Sequence, residues 1–318
     1  MSARFESMLF VAVLALSVFV LNASHEGATG LNYRHMGADW PGVCQTGMKQ
    51  NPVDIQSEFL TPYDKPEYEP RFETLGTVKD CTLYATPNLP HVELSWERMP
   101  TPMKVTLAAS LDGNIFAPLQ GYLGEGNMKR VGIEPAQFHF HSPSEASVDG
   151  SLFDGVIHIV NFVKDGESEY CDGIKARGGL GCPVVIAIFL NADDSIESSP
   201  LSEVFGTDAD VIVDHTGEEH GVKALGWFGL DSLLPRCGSI ATLEGSLTTA
   251  PCTEGVFWIS LLMPLTVTSK EILQLKHTII GAVGPDCEGN EDGCNRFPDN
   301  NREIHDLNDR IIRIGNAF

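Results

Sequence analysis

Residues 137–145 read QFHFHSPSE, and this stretch carries the clearest structural signal in the chain. Its alternating polar and apolar residues predict a β-strand, in which alternate side chains share one face of the sheet. His139 and His141 then lie on one face with Gln137, and the two phenylalanines between them lie on the other. Because imidazole is the commonest metal ligand in proteins, the stretch predicts both a strand and a candidate metal site.

A third histidine lies in the next strand-like run, GVIHIVNF, at residues 155–162. If the two strands pair side by side, His158 meets the other two histidines. Three neutral imidazoles suit Zn²⁺ and leave a position for water, whose pKa the ion lowers toward neutrality. Iron is disfavoured because no carboxylate of a facial triad accompanies them. The pattern alone leaves open a hydrolase, a cupin-like oxygenase, a hydratase and a structural role for each histidine.

The rest of the chain is also rich in strand signals. Runs of β-branched and aromatic residues bounded by Gly, Pro and Asp predict strands at 92–96, 104–110, 137–141, 155–162 and 183–190. Helix signals are weaker. The best candidates are 200–206, which opens after Ser and Pro, and 269–279, whose Ser-Lys-Glu start is typical of a helix N-terminus. The chain therefore predicts a mainly β fold, with one large sheet and a few short helices.

The composition excludes several classes of protein. The 318 residues include 43 Asp and Glu against 21 Lys and Arg, a formal net charge of -22. Hydrophobic residues make up 42%, which supports a sizeable core and excludes wholesale disorder. So acidic a chain is not expected to bind nucleic acid or anionic lipid, because both partners require Lys and Arg.

The N-terminus predicts export. Residues 8–21 form an apolar run that is shorter than the roughly 20 residues needed to span a bilayer. Arg4 precedes the run and small residues follow it, as in a secretory signal peptide. We expect residues 1–24 to be a signal peptide, with an uncleaved signal anchor as the alternative. No membrane span is expected after its removal, and the mature chain is expected to be secreted, lumenal or periplasmic.

The eight cysteines suit such a compartment, where disulfides form. Two close pairs, Cys171/Cys182 and Cys287/Cys294, lie in Gly- and acid-rich segments that we expect to be loops, and each pair is expected to form a local disulfide. Neither pair has the C-x-x-C spacing of a zinc knuckle. Spacing alone does not settle the connectivity of the eight cysteines, which also include Cys44, Cys81, Cys237 and Cys252.

Longer segments resemble the α-class carbonic anhydrases. In the family's order, the similar segments are WPGVCQTGMKQNPVDI (40–55), QFHFHSPSEASVDG (137–150), IHIVNF (157–162), LLP (233–235), GSLTTAPCTEGVFW (245–258) and NNREIHDLNDR (300–310). Together they span most of the chain and are far more specific than any one motif. The resemblance implies one domain over residues 25–318, built on a large, mostly antiparallel, twisted sheet.

The resemblance also implies an activity, the reversible hydration of carbon dioxide to bicarbonate and a proton by a zinc-bound hydroxide. The implied zinc ligands are His139, His141 and His158. Thr248 would accept a hydrogen bond from the hydroxide and donate its own proton to Glu145, which aims the nucleophile. The backbone N–H of Thr248 would stabilise the developing bicarbonate.

Further roles follow from the same resemblance. The implied substrate-binding residues are Thr249, Leu247, Val160, Val185 and Trp258. Gln137 would fix the tautomer of His139. Cys44 and Cys252 match a pair that secreted members join as a disulfide. His91 is the candidate proton shuttle, because histidine titrates near neutral pH, although the glycine that accompanies the family's shuttle is absent here.

The chain departs from the family pattern at several positions, among them Asn51, which stands where serine is usual. Val156, Ala146, Leu243 and Ala250 stand where the family has an acidic residue, a histidine, a tyrosine and a proline. Val156 cannot accept a hydrogen bond from His158, and loss of such a partner changes zinc affinity by about 10- to 100-fold. A catalytically weak or silent binding or cell-surface protein on the same scaffold is therefore the alternative. The presence of all three histidines favours the enzyme.

Overall fold

The computed structural model describes residues 33, 35–86, 91–98, 104–110, 128–205, 220–234, 238–281 and 299–316. The described helices are α1 (Val43–Thr46), α2 (Glu169–Ala176), α3 (Ser202–Phe205) and α4 (Ser269–Gly281). The described strands are β1 (Asp54–Ile55), β2 (Thr61–Pro62), β3 (Arg71–Thr74), β4 (Thr77–Thr86), β5 (His91–Arg98), β6 (Lys104–Ser110), β7 (Met128–His141), β8 (Ser147–Val148), β9 (Gly155–Val163), β10 (Pro183–Ala192), β11 (His220–Gly229), β12 (Ser239–Ser246), β13 (Glu254–Val267) and β14 (Arg313–Asn316). The predicted mainly β fold is confirmed.

Twelve of the described strands form one sheet. Ten follow the order β11-β4-β5-β7-β9-β10-β13-β12-β14-β2, while β6 also pairs with β7 and carries β3. Most of the pairs are antiparallel, and the parallel exceptions in this sheet are β10 with β13 and β14 with β2. The short strands β1 and β8 pair separately. The long central strands β7, β9 and β10 thus lie side by side, as the candidate site requires.

Both faces of the central strands are covered. Strands β9 and β10 are buried along nearly their whole length, as expected of continuous apolar runs. One face carries Phe138, Phe140 and Ile157 and packs in a core that includes residues of α4. The opposite face carries a second apolar cluster around Val160 and Trp258, and this is the face on which the histidines lie.

Two elements differ from expectation in an informative way. The strand predicted at 137–141 begins much earlier, at Met128, because Pro135 is accommodated at a shift in the β7–β9 register. The segment around Cys171 was expected to be a loop, but it contains helix α2. Ser168 caps this helix by accepting a hydrogen bond from the backbone N–H of Cys171, and the disulfide ties the helix to the start of β10.

Two disulfides join described residues, Cys171–Cys182 and Cys44–Cys252. The local pairing of Cys171 with Cys182 is confirmed. Cys237, Cys287, Cys294 and the expected signal peptide lie outside the described residues. Disulfides indicate an oxidising, extracytoplasmic compartment. Among the described helices, none has the length and apolar character needed to cross a membrane.

Candidate metal centre

Three histidines meet on one face of the central sheet. Strands β7 and β9 pair so that His139 lies directly opposite His158, and His141 follows two residues later on the same face. One nitrogen from each ring lies within 4.8 Å of the others, a spacing that a single metal ion can bridge. The three residues are 7%, 0% and 3% exposed in order of number, so the site is shielded from bulk water.

Hydrogen bonds orient two of the rings. Nδ1 of His139 donates to the amide oxygen of Gln137 at 2.8 Å, as the resemblance implies for Gln137. Nδ1 of His141 donates to the backbone carbonyl of Asn300 at 2.7 Å. Each bond places the proton on Nδ1, so that Nε2 carries the lone pair that could bind a metal ion. Burial lowers the pKa of His141 to about 4, opposed by the bond to Asn300, so the ring is neutral at physiological pH.

A buried carboxylate adjoins the histidines. Glu145 Oε2 lies 3.5 Å from His141 Nε2 and 3.7 Å from His158 Nδ1. Burial raises the pKa of Glu145 to about 8, while hydrogen bonds from Thr248 and from the Arg302 backbone N–H act in the opposite direction. A cation bound by the histidines would favour the ionised carboxylate further.

A buried arginine lies beneath Glu145. The backbone N–H of Arg302 donates to Glu145 Oε1 at 3.0 Å. Its guanidinium donates to Gln50 Oε1 at 2.9 Å and to the carbonyls of Asn51 at 2.7 Å and Cys44 at 2.8 Å. The side chain is fully buried. Arg302 thereby links the Glu145 loop to the N-terminal segment.

Sequence reasoning gave no role to Asn300 or Arg302, although both lie in a segment used for the resemblance. Asn300 acts on His141 through its backbone carbonyl, which carries no residue-specific signal. No local pattern singles out Arg302 either, because its partners are more than 150 residues away along the chain.

Apolar side chains border the histidines. Val160, Val185 and Trp258 are buried in one cluster, and Leu247 packs against it partly buried. The Trp258 ring meets His158 edge-on at 4.9 Å between centroids, and its Nε1 donates to the carbonyl of Ser246 at 3.0 Å. Thr249 follows Thr248 in the adjoining loop and is partly buried. His91 begins β5, and its side chain lies outside the described part of the structure.

Comparison with known proteins identifies the family. A family model described as eukaryotic-type carbonic anhydrase matches residues 34–316. The chain belongs to this family. The resemblance seen in the sequence is confirmed, and the mostly stranded fold with its large curled sheet is that of the α-carbonic anhydrases.

Individual carbonic anhydrases are similar to the chain over nearly its full length. One from Klebsiella pneumoniae is 25% identical over 313 residues, which cover 96% of each chain. One from Pectobacterium atrosepticum is 28% identical over 308 residues, covering 95% of this chain and 97% of its own. The solved structure of a halotolerant carbonic anhydrase from Dunaliella salina shares the fold, with a TM-score of 0.65 at 20% identity, covering 91% of this chain and 99% of its own.

Proposed function

We propose that this carbonic anhydrase family member is an active zinc enzyme that reversibly hydrates carbon dioxide to bicarbonate and a proton. The observation that carries the proposal is the convergence of three buried imidazoles beside the Glu145 carboxylate and Thr248. His139, His141 and His158 would hold the metal. A scaffold protein without catalysis would have no need for this arrangement of ligands and hydrogen-bond partners.

The donor set fits zinc. Three neutral imidazoles form a known catalytic zinc site, and hydrogen bonds already fix the donor nitrogen of two of the rings. Zinc supplies a Lewis acid that brings the pKa of water toward neutrality.

Thr248 and Glu145 would orient the attacking oxygen. Glu145 accepts hydrogen bonds from Thr248 and from the Arg302 backbone. Since the Thr248 hydroxyl has a single hydrogen, its donation to Glu145 leaves only lone pairs to meet the nucleophile. The nucleophile would then donate its hydrogen to the Thr248 oxygen. This hydrogen bond would direct the lone pair of the nucleophile toward the substrate carbon.

The apolar cluster would hold carbon dioxide, which has little to offer a hydrogen-bond donor. Val160, Val185, Leu247 and Trp258 form this wall next to His158. The backbone N–H of Thr248 would stabilise the negative charge that develops on the product oxygens, and Thr249 would line the same space.

We propose His91 as the proton shuttle. His91→Ala is expected to slow turnover in dilute buffer, and added imidazole should restore it because an external base replaces the side chain. His277→Ala, at an exposed position on α4, is the matched control and should behave as wild type. Equal turnover of wild type and His91→Ala in dilute buffer would contradict the assignment.

The proposal includes export. We propose residues 1–24 as a signal peptide and residues 25–318 as one catalytic domain that works outside the cytoplasm. The two disulfides support this placement because they persist in oxidising compartments.

Carbon dioxide hydration measured by stopped flow tests the activity. Residues 25–318 would be compared with His158→Ala, and zinc would be quantified in the same samples. We expect fast hydration with stoichiometric zinc in the wild type, and loss of both in the variant. Bound zinc without hydration above background would instead support the silent scaffold.

A further inference from the structure

A small cavity adjoins His158. It admits the centre of a water-sized sphere over about 10 Å³, which is roughly the room that one water molecule needs. His158, Glu145 and Thr248 line this cavity, whereas His139 and His141 do not. The cavity therefore adjoins the ring of His158 but not the rings of the other two histidines.

Three apolar residues shape the cavity. Val156, Ala146 and Leu243 all line it, and none of the three side chains can donate or accept a hydrogen bond. At each of these three positions the chain departs from the family pattern. Their side chains come together in space. The polar side chains that the family has at these three positions are therefore all missing from one place, and a space remains beside the ring of His158.

Ser260 brings a hydroxyl to the same cavity. In the strand register Ser260 pairs with Ala187, and Ala187 pairs with His158, so the three lie in one row across β13, β10 and β9. Two strand spacings of about 4.8 Å separate the Cα atoms of His158 and Ser260 by about 10 Å. The methyl group of Ala187 is too short to fill this gap. Ser260 is 3% exposed, so its hydroxyl faces the interior.

We propose that the cavity is a built-in site for one water molecule, which links the ring of His158 to the Ser260 hydroxyl, and that Ser260 is a positioning residue for the third zinc ligand. This inference rests on the proposed zinc site. Nδ1 of His158 lies 3.7 Å from Glu145, so Nε2 lies across the ring from it. A water that accepts from Nε2–H and donates to Ser260 keeps the ring in the tautomer whose Nδ1 binds metal. Asn51 adds another polar side chain to the lining.

A high-resolution crystal structure of the zinc-loaded protein tests the water site directly. We expect density for one water molecule within hydrogen-bond distance of both His158 Nε2 and Ser260 Oγ. A cavity without such density would overturn the proposal. This test needs no variant, so it holds even if a substitution in the cavity prevents folding.

Zinc release into excess chelator tests the positioning role. Ser260→Val removes the hydroxyl and fills the space, and it is expected to speed zinc release about 10- to 100-fold. Ser260→Ala leaves room for the water and should give a smaller increase. Ile259→Val is the matched control, since Ile259 is the neighbouring residue on β13 but packs in the opposite core, and its release rate should equal that of wild type.

The outcomes separate this inference from the proposed function. Zinc release from Ser260→Val as slow as from wild type would overturn the role of Ser260 while leaving the zinc site in place. A folded wild-type protein without stoichiometric zinc would overturn the metal site, and the water link with it.

Discussion

In the proposed mechanism, the Thr248 hydroxyl orients the nucleophile while donating a hydrogen bond to Glu145. Thr248→Ala keeps the three histidines but removes the donor to Glu145, so the nucleophile loses its fixed direction. We expect a fall in kcat/KM of about 100-fold with zinc still bound, because loss of alignment alone costs that much. Thr248→Ser retains the hydroxyl and should recover most of the activity. A Thr248→Ala enzyme as fast as wild type would contradict the orienting role; hydration rate and zinc content together provide the check.

His305 links stability to pH. Burial, with Arg302 and Arg310 nearby, lowers its pKa to about 4, and Asp306 acts in the opposite direction. In the unfolded chain the pKa is about 6.5. Between these values the unfolded state binds more protons, so the contribution of His305 to stability is complete above about pH 6.5 and is lost as the pH falls toward 4.

His305→Gln removes this linkage. Urea unfolding between pH 7 and pH 4, with a chelator in every sample to exclude metal binding, should show wild type losing more stability than the variant as the pH falls. Parallel pH dependences would show that His305 titrates alike in the folded and unfolded chains, contrary to the expectation.

At the scale of elements, the two disulfides stabilise different parts of the structure. Cys44–Cys252 pins the loop that follows Thr248, where the backbone N–H of Cys252 donates to the carbonyl of Thr249 at 2.8 Å. Cys171–Cys182 ties α2 to β10, and both of its cysteines pack in the core on the sheet face opposite the histidines.

Variants in which both cysteines of one disulfide are replaced by serine distinguish these two roles. Loop-closure entropy predicts a loss of about 5 kcal/mol for the pair separated by 208 residues and about 3 kcal/mol for the pair separated by 11, both as upper values. Urea unfolding should show both losses. Only the Cys44→Ser/Cys252→Ser variant should also lose hydration activity below its unfolding transition, because only that disulfide holds the Thr248 loop. Equal activity in the two variants would refute this division.

Elements with strong local signals were predictable. The strand expected at 104–110 is β6, and the helix expected at 269–279 is α4. That helix begins with a capping box, in which the Glu271 backbone N–H donates to Thr268 Oγ1 and the Thr268 N–H donates to the Glu271 carboxylate. Helix α2 was missed because it is short and contains Gly173, a poor helix former. Its disulfide to the residue before β10 stabilises it through a contact that the local helix pattern does not reveal.

At the scale of the molecule, the site is assembled from distant segments. The periodicity of two strands was enough to predict that three histidines meet, because pairing of neighbouring strands brings them together. The carbonyl that orients His141 comes from 159 residues away, and the cavity beside His158 depends on the register of three strands. Neither feature has a local signature, so both required the fold.

The central claim is that the three histidines form a zinc site that hydrates carbon dioxide, and one titration tests it most directly. Zinc is removed from the purified chain of residues 25–318 and then added back in steps, while stopped flow records the hydration rate. The account predicts a rate that rises in proportion to bound zinc and levels off at one ion per chain. A rate that stays at the uncatalysed background while one zinc ion binds to each folded chain would contradict it.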